Sequence, residues 1–258
     1  MADDGSLIQI EALNKTFISE RGNEVPALSD NSFNIKENDF VCIVGPSGCG
    51  KSTLLRIVAG LETSSSGRVL FKGQPHDKPT QKIGMVFQQY SLLPWRTVEE
   101  NIVLGMEFRK EGKRTKVACA DRYLKLIGME NFRHAYPYEL SGGMQQRVAI
   151  VRALANDPEV LLMDEPFGAL DAHTRIIMQR ELLRIWEQNK KTVLFVTHSV
   201  DEAIYLADRI VVMTARPGTV KEIMEVNIPR PRSRANSLYG QMADEILRML
   251  EVEDTILD

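Results

Sequence analysis

One stretch decides the fold of this chain: Phe40-Val41-Cys42-Ile43-Val44-Gly45-Pro46-Ser47-Gly48-Cys49-Gly50-Lys51-Ser52-Thr53. Its first five residues predict a buried strand, and residues 54–59 continue as a helix. Between them, residues 45–52 fit G-x-x-x-x-G-K-[ST], in which glycines let backbone N–H groups face an anion at a helix N-terminus. The alternative is a plain glycine-rich turn, which would not require Lys51 and Ser52 at these offsets. The stretch predicts a nucleotide phosphate site, with Lys51 reaching the β- and γ-phosphates and Ser52 ligating Mg²⁺.

The composition excludes several classes of protein. The chain has 258 residues with 35 acidic and 32 basic side chains, so no overall basic excess argues for nucleic acid. No apolar run approaches the ~20 residues of a membrane span. The N-terminus lacks the layout of a signal peptide. The 3 cysteines show no C-x-x-C spacing, which indicates a reducing compartment rather than disulfides or a zinc site. We expect a soluble, cytosolic protein that binds no nucleic acid.

The N-terminal part of the chain predicts strands. Residues 7–17 alternate apolar and polar side chains over much of their length, which is typical of an edge or antiparallel strand. Residues 27–35 predict a second strand, and residues 68–73 a short strand that ends in a hairpin. We therefore expect a small β-layer beside the phosphate site. Phe17, in the first of these strands, is either a core residue or an aromatic platform for a nucleobase.

The middle of the chain changes to helical spacing. Apolar residues recur at helical intervals over residues 98–109 and 115–127, and Gly128 is a plausible helix stop. Strand-like runs return at residues 159–163 and 192–196, with a long helix between them. Short apolar strands that alternate with helices imply a mostly parallel sheet buried on both faces. The predicted fold is α/β, with an N-terminal antiparallel β-layer and an inserted helical subdomain.

Two carboxylates end a buried strand in Val160-Leu161-Leu162-Met163-Asp164-Glu165. Neighbouring residues on a strand point to opposite sides, so the two acids have different roles. Downstream of a phosphate loop, Asp164 is the expected ligand or orienter of Mg²⁺. Glu165 is then free to act as general base on a water beside the γ-phosphate. The alternative is that both acids cap the turn or helix that follows.

A second phosphate-binding helix start is predicted in Leu140-Ser141-Gly142-Gly143-Met144-Gln145-Gln146-Arg147. Ser141 is a good N-cap, and the two glycines leave backbone N–H groups uncovered at the start of an amphipathic helix. A capped helix start is common by itself. The complete string is what makes this signal specific.

In this order, the motifs resemble the nucleotide-binding subunit of ATP-binding cassette (ABC) transporters over nearly all of residues 7–220. The matching segments are the Walker A loop at residues 45–53, the Q-loop glutamine Gln88, the signature at residues 140–147, the Walker B strand at residues 161–166, the D-loop at residues 169–171 and the switch histidine His198. The resemblance implies a P-loop NTPase core that uses ATP and Mg²⁺. It also implies an ABC ATPase domain over residues 1–230, with the helical subdomain at about residues 90–150, followed by a C-terminal linker and helix over residues 231–258.

The resemblance implies a role for each matched residue. Family members work as head-to-tail dimers that sandwich two ATP molecules, so we expect a homodimer in which the signature clamps the γ-phosphate from the partner copy. Glu165 would polarise the attacking water, with His198 and Gln88 completing the catalytic set. Mg²⁺ would be held by Ser52, Gln88 and Asp164. The residues expected to bind the nucleotide are Phe17, which would stack on the adenine, Gly45, Pro46, Ser47, Gly48, Cys49, Gly50, Lys51, Ser52, Thr53, Ser141, Gly142, Gly143, Gln145 and Asp171.

The segments at residues 91–102 and 166–175 look like the nitrate/sulfonate/taurine importer branch of the family. The resemblance implies an ATP-hydrolysing subunit on the cytoplasmic face of the membrane. Such a subunit serves an integral permease and, indirectly, a solute-binding protein. The family places Pro94 and Trp95 in the groove that receives a permease helix; the alternative is a rigid turn with a partly buried ring.

A non-transport ABC ATPase of DNA repair or translation is the competing hypothesis. Such proteins carry long coiled coils or extra domains between the Q-loop and the signature, or two cassettes in one chain. Here the interval from Gln88 to Ser141 is compact and shows no heptad run. Within the loop, we expect bulky thiol reagents to reach Cys49 and to block ATP binding.

Overall fold

The computed structural model describes residues 5–168, 170–214 and 216–254. Within them the strands are β1 (Ser6–Ile18), β2 (Glu24–Lys36), β3 (Phe40–Val44), β4 (Ser66–Phe71), β5 (Gln74–Pro75), β6 (Ile83–Val86), β7 (Val160–Asp164), β8 (Thr192–Thr197), β9 (Arg209–Met213) and β10 (Val220–Glu225). The α-helices are α1 (Lys51–Val58), α2 (Val98–Ile102), α3 (Leu104–Phe108), α4 (Lys113–Ile127), α5 (Gly142–Leu154), α6 (Ala172–Asn189), α7 (Val200–Leu206) and α8 (Ser237–Asp254). The chain divides into two compact units: the first comprises residues up to Thr80 and from Thr192 onward, and the second comprises Gln81–Lys191.

The first unit contains the predicted antiparallel β-layer, a sheet with the strand order β2-β1-β4-β5. In it, Ile10 of β1 lies opposite Phe33 on one side and Val69 on the other. All three side chains are buried. Because side chains alternate between the two faces of a strand, the apolar positions of β1 supply one buried face. The predicted N-terminal β-layer is confirmed.

The remaining strands of the first unit lie in the order β10-β9-β3-β8. β3 runs parallel to both neighbours, with Val44 opposite Thr197 of β8 and Val212 of β9. Every residue of β3 is buried, as expected for a central parallel strand. The C-terminal ends of β3, β8 and β9 therefore open at one edge of the sheet, where Gly45 and His198 follow.

The terminal helix α8 is anchored on α7 within the first unit. The Tyr239 hydroxyl donates a hydrogen bond to the Asp201 backbone oxygen at 2.8 Å, and Arg234 forms an ion pair with the Asp201 carboxylate at 2.6 Å. On this helix Ile246 is buried, whereas Leu238 is exposed. The helix thus packs in cis, and the division of the chain near residue 230 stays a prediction.

The second unit pairs β6 and β7 in parallel, with Val86 opposite Met163. Around this pair lie the helices of the predicted helical block. The signature helix α5 buries Val148, Ile150 and Val151. These strands and helices, with those of the first unit, confirm the predicted α/β fold.

The helical segment predicted over residues 98–109 is two short helices, α2 and α3. α2 begins after a capping box in which Thr97 and Glu100 exchange hydrogen bonds, and it ends at Ile102 with Val103 as its C-cap. In α3, the backbone at Gly105 approaches Asn156 so closely that a Cβ would lie 1.8 Å from its Oδ1. Within the described residues, no helix is both long enough and apolar enough to span a membrane.

Candidate functional site

The phosphate loop of the first unit has the backbone that its glycines predict. Gly48 and Gly50 have φ values of 76° and 95°, in the left-handed region that favours glycine. Gly50 is the N-cap of α1 and makes no side-chain capping hydrogen bond. The first N–H groups of α1 are therefore available to an anion, and the positive end of the helix dipole adds to their field.

Lys51 places its charge inside this loop. Its side chain is buried, and Nζ donates hydrogen bonds to the backbone oxygens of Gly45 and Pro46, both at 2.8 Å. The Cys49 Sγ lies 3.8 Å from the same Nζ. Because a buried ammonium is held by carbonyl dipoles rather than by a carboxylate, its positive charge is not neutralised within the loop. The loop thus offers backbone N–H groups and a fixed cation to a phosphate.

The Cys49 side chain points into the protein, which bears on the expectation that bulky thiol reagents block ATP binding there. The residue is fully buried, and its Sγ faces the backbone of Gly45. Burial raises the pKa of the Cys49 thiol, and the nearby Lys51 ammonium opposes this shift only in part. The thiolate is the reactive form, so both access and protonation protect this cysteine.

At pH 7 we expect a bulky maleimide to modify Cys119, which is only partly buried, before Cys49. A raised pKa leaves less thiolate at a given pH, so the Cys49 rate should increase as the pH is raised. Peptide mass mapping over a labelling time course measures both rates. Cys119→Ser is the control, because it removes the faster site and should leave the slow labelling of Cys49 unchanged. Labelling of Cys49 at the rate of Cys119 would contradict the burial argument.

His198 lies at the same edge of the first unit as the phosphate loop. It follows Thr197, which pairs with Val44 immediately before Gly45, and its side chain is exposed. The turn is held by a buried contact in which the Thr197 hydroxyl donates to Glu202 Oε2 at 2.5 Å. The Ser199 N–H donates to the same hydroxyl oxygen at 3.0 Å. The sequence did not predict these two hydrogen bonds of the Thr197 hydroxyl, because no motif marks them.

Phe17 lies near the end of β1 with 38% of its surface exposed. The Lys15 Nζ lies 4.7 Å from the centroid of its ring. Lys15 is itself fixed by Glu62 Oε1 at 2.7 Å and by the Thr63 backbone oxygen at 2.8 Å. The hydrogen bond from Lys15 lowers the pKa of Glu62, which keeps this pair charged. One face of the ring therefore carries a cation–π contact.

In the second unit, Gln88 and Glu165 converge at the ends of neighbouring strands. Each comes two residues after the paired Val86 and Met163. A Cβ built on Gly168 would lie 3.9 Å from both Gln88 Nε2 and Glu165 Oε2. The predicted pair of catalytic side chains is thus brought together in this unit.

The two acids of the Walker B strand occupy different environments, as predicted. Asp164 is buried at the end of β7, whereas Glu165 is only partly buried. Glu165 has a φ of 42°, a left-handed conformation that is rare outside glycine. Such backbone outliers cluster at functional sites, where the surrounding structure holds them.

The signature and the D-loop lie side by side in the second unit. Ser141 caps α5 by accepting a hydrogen bond from the Met144 N–H at 3.4 Å. A Cβ on Gly143 would come 3.0 Å from the Thr174 methyl carbon in the first turn of α6. Asp171 caps α6 through the Thr174 N–H at 3.0 Å, and this hydrogen bond lowers the pKa of Asp171. Two helix N-termini therefore open close together, with Gly142 exposed between them.

The side chain of Gln145 turns back onto its own segment, and it also borders a groove. Its Nε2 donates to the Leu140 backbone oxygen at 3.2 Å. The groove has a volume of about 460 Å³ and is lined by Gln88, Tyr90, Leu92, Pro94, Tyr138 and Gln145, among others. Next to it, Trp95 exposes 71% of its surface. The Trp95 ring is therefore mostly exposed, and its contact with a permease helix stays a prediction.

The match to known proteins is extensive. Residues 28–168 match the family model described as ABC transporter. The chain therefore belongs to the ABC transporter family.

The relatives share nearly the whole length of the chain. An uncharacterized ABC transporter ATP-binding protein of Methanocaldococcus jannaschii is 52% identical over 95% of this chain and 92% of that protein. The aliphatic sulfonates import ATP-binding protein of Bacillus cereus is 45% identical over 95% and 96%. The nitrate import ATP-binding protein of Synechocystis is 43% identical over 96% and 97%. The resemblance to this importer branch is confirmed.

A solved structure supports the same assignment. A bacterial ABC transporter cassette, solved as a dimer, superposes with a TM-score of 0.75 and 36% identity over 85% of this chain and 99% of that one. The same cassette has also been solved in a post-hydrolysis state with ADP and Pi. The predicted P-loop NTPase core is confirmed, and the chain is an ATP-binding ABC ATPase.

Proposed function

We propose that this chain energises an importer of nitrate, a sulfonate, taurine or a similar small solute. The observation that carries the proposal is the likeness, over nearly the whole chain, to sulfonate and nitrate import ATP-binding proteins. The subunit would be peripheral on the cytoplasmic face of the membrane, bound to a permease and served indirectly by a solute-binding protein. Residues 1–230 would form the ATPase domain.

ATP would bind with its phosphates in the loop from Gly45 to Thr53. The support for this role is the buried Lys51 ammonium, together with the uncapped start of α1. The adenine would stack on the partly exposed ring of Phe17. Mg²⁺ would be held by Ser52, Gln88 and Asp164 with the phosphates. Mg²⁺ usually binds few protein carboxylates besides substrate oxygens, and a set with one carboxylate, one hydroxyl and one amide fits that preference.

Hydrolysis would proceed by attack of a water on the γ-phosphorus. The new O–P bond forms as the bond from phosphorus to the bridging oxygen breaks, and Glu165 accepts the proton of the water. ADP and phosphate then leave. The convergence of Glu165 and Gln88 near Gly168 supports this assignment, and exposed His198 would orient the water against the γ-phosphate.

Two copies would form a head-to-tail dimer with two ATP molecules between them. Ser141, Gly142 and Gly143 would clamp the γ-phosphate of the partner's ATP, with Gln145 and Asp171 beside them. The exposed N-terminus of α5 supports this proposal, since it presents the positive end of the helix dipole. The groove beside Pro94 and Trp95 would receive a helix of the permease.

The proposal is tested by purifying the tagged chain from membranes in detergent and reconstituting the complex into liposomes. We expect an integral membrane protein to copurify and ATP to drive uptake of nitrate, taurine or an alkanesulfonate. A complex that carries Glu165→Gln is the matched control without turnover. ATP hydrolysis with a bound nucleic acid or ribosome, and no membrane partner, would favour the non-transport alternative.

We expect Phe17→Ala to weaken ATP binding roughly 5- to 150-fold, because stacking of a base on an aromatic ring contributes about 1–3 kcal/mol. Titration calorimetry with ATP measures this loss. Inorganic triphosphate, which has no base, should bind the variant and the wild type equally. Phe17→Tyr keeps the ring and should retain ATP affinity. An equal loss of affinity for triphosphate would show that Phe17 acts on the loop rather than on the base.

A further inference from the structure

The segment that follows β9, described at residues 213–214 and 216–218, lies alongside the phosphate loop in the first unit. β3 and β9 are parallel neighbours that pair Val44 with Val212, so the chain leaves both strands at the same edge. A Cβ on Gly45 would lie 2.9 Å from the Met213 backbone oxygen. A Cβ on Gly218 would lie 1.8 Å from the Cys49 backbone oxygen. The segment therefore touches the loop at both of its ends.

Gly218 is fixed in this position by a dense set of hydrogen bonds. Its N–H donates to the Ala27 backbone oxygen at 3.0 Å, and its own oxygen accepts from the Ser29 N–H at 3.0 Å. The same oxygen accepts from Asn31 Nδ2 at 2.9 Å, and Asn31 is fully buried. Because a buried side chain donates a hydrogen bond to this carbonyl oxygen, specific contacts fix the position of the segment.

Arg216 lies between these two anchor points and against the tip of the loop. A Cβ on Gly48 would lie 2.7 Å from Arg216 Nη2, 3.3 Å from Nε and 3.4 Å from Cζ. The guanidinium thus rests on Gly48. The residue is exposed, and it makes no hydrogen bond or ion pair with any residue that the structure describes.

The surroundings of this guanidinium favour an anionic ligand over a structural role. Arg216 has no carboxylate to neutralise it within the described residues, whereas other arginines of the first unit, such as Arg209 and Arg230, are held in ion pairs. An anion bound to the loop amides would be well within the ~8–10 Å Debye length of this charge. Arginine also presents a fork of donors that matches two phosphate oxygens.

We propose that Arg216 is a second phosphate-binding cation of this site, which contacts the polyphosphate of bound ATP from the side of Gly48. Lys51 holds the buried side of the loop, and Arg216 covers its exposed tip. The inference rests on the proposed role of the loop as the ATP site. It assigns to the segment after β9 a function in nucleotide binding that none of its sequence patterns predicts.

The test compares nucleotide affinity in the full chain for Arg216→Ala, Arg216→Lys, Lys51→Ala and Arg248→Ala. Arg248 is an exposed arginine on α8 and serves as the charge-matched control. We expect Arg216→Ala to bind ATP about tenfold more weakly at low salt, since a charged hydrogen bond at an exposed position is partly screened. The loss should shrink as salt is added and should be less than about twofold for AMP. Arg216→Lys should recover part of the affinity, and Arg248→Ala should bind as the wild type does.

The outcomes distinguish a failure of the proposed role of Arg216 from a failure of the proposed ATP site. Lys51→Ala without loss of ATP affinity would overturn the site itself. Loss in Lys51→Ala with unchanged affinity in Arg216→Ala would overturn only the role of Arg216. A loss in Arg216→Ala that is equal for ATP and AMP, or that accompanies a lower melting temperature without nucleotide, would assign Arg216 a structural role instead.

Discussion

Replacing Glu165 by Gln is expected to preserve ATP binding and to slow turnover roughly 10²- to 10⁴-fold, the range for loss of a general base. Glutamine has nearly the same shape as glutamate, so it fits the left-handed backbone at this position, where φ is 42°, as well as glutamate does. Its amide cannot accept the proton of the attacking water. ATP binding depends on the phosphate loop of the first unit, so the variant should retain it.

Steady-state phosphate release and ATP titration measure the two effects separately. Glu187→Gln is the matched control, because Glu187 is an exposed acid on α6 of the same unit. It should leave both turnover and affinity unchanged. Near-normal hydrolysis by Glu165→Gln would place the base elsewhere, and a parallel loss of ATP affinity would indicate that the substitution disturbs binding rather than catalysis.

The parts of the site that the sequence predicts are those whose chemistry is local. The loop from Gly45 to Thr53 needs left-handed glycines, a lysine and a hydroxyl within a few residues, and Gly48 and Gly50 adopt that backbone. The convergence of Gln88 and Glu165 is also predictable. Both follow strands whose C-terminal ends meet in a parallel pair.

The parts that the sequence does not reveal depend on distant segments or on burial. Arg216 reaches Gly48 only because β9 is a neighbour of β3, and no motif marks this contact. The same holds for the hydrogen bond between Thr197 and Glu202, which lies within the core. The inward orientation of the Cys49 side chain is also not evident from the motif, because burial depends on packing. The expectation that thiol reagents at Cys49 block ATP binding stays a prediction.

The break between α2 and α3 has a similar origin. The apolar spacing over residues 98–109 is compatible with a continuous helix, whereas the structure ends α2 at Ile102 and begins α3 at Leu104. Helix periodicity reports which faces are buried. It does not report where a helix must bend to admit a neighbour, because that depends on tertiary contacts.

The largest effect on assembly is expected from ATP itself. In Glu165→Gln, ATP and Mg²⁺ should convert monomers into dimers, because hydrolysis no longer opens the sandwich. Light scattering coupled to gel filtration measures the mass. The N-terminus of α5 must then face the partner's nucleotide, so adding Ser141→Arg should abolish the dimer by placing bulk and charge there.

Thr97→Arg is the matched control for that substitution, since Thr97 also caps a helix of the second unit through its side chain. Loss of either cap costs about 1 kcal/mol, so both variants should be destabilised to a similar extent. Only Ser141→Arg should prevent dimerisation. If Glu165→Gln without the Ser141→Arg substitution stays monomeric at every ATP concentration, the proposed clamp on the partner's ATP is contradicted.

Complementation distinguishes a shared site from a site within one copy. Lys51→Ala removes the loop cation and Ser141→Arg removes the clamp, so each variant alone should be inactive. In a mixed dimer of two-fold symmetry, one site would combine the intact loop of the Ser141→Arg copy with the intact clamp of the Lys51→Ala copy. Mixing the two inactive proteins should therefore restore ATP hydrolysis above the sum of their separate rates. No gain on mixing, while the wild type dimerises normally, would assign both functions to the same chain.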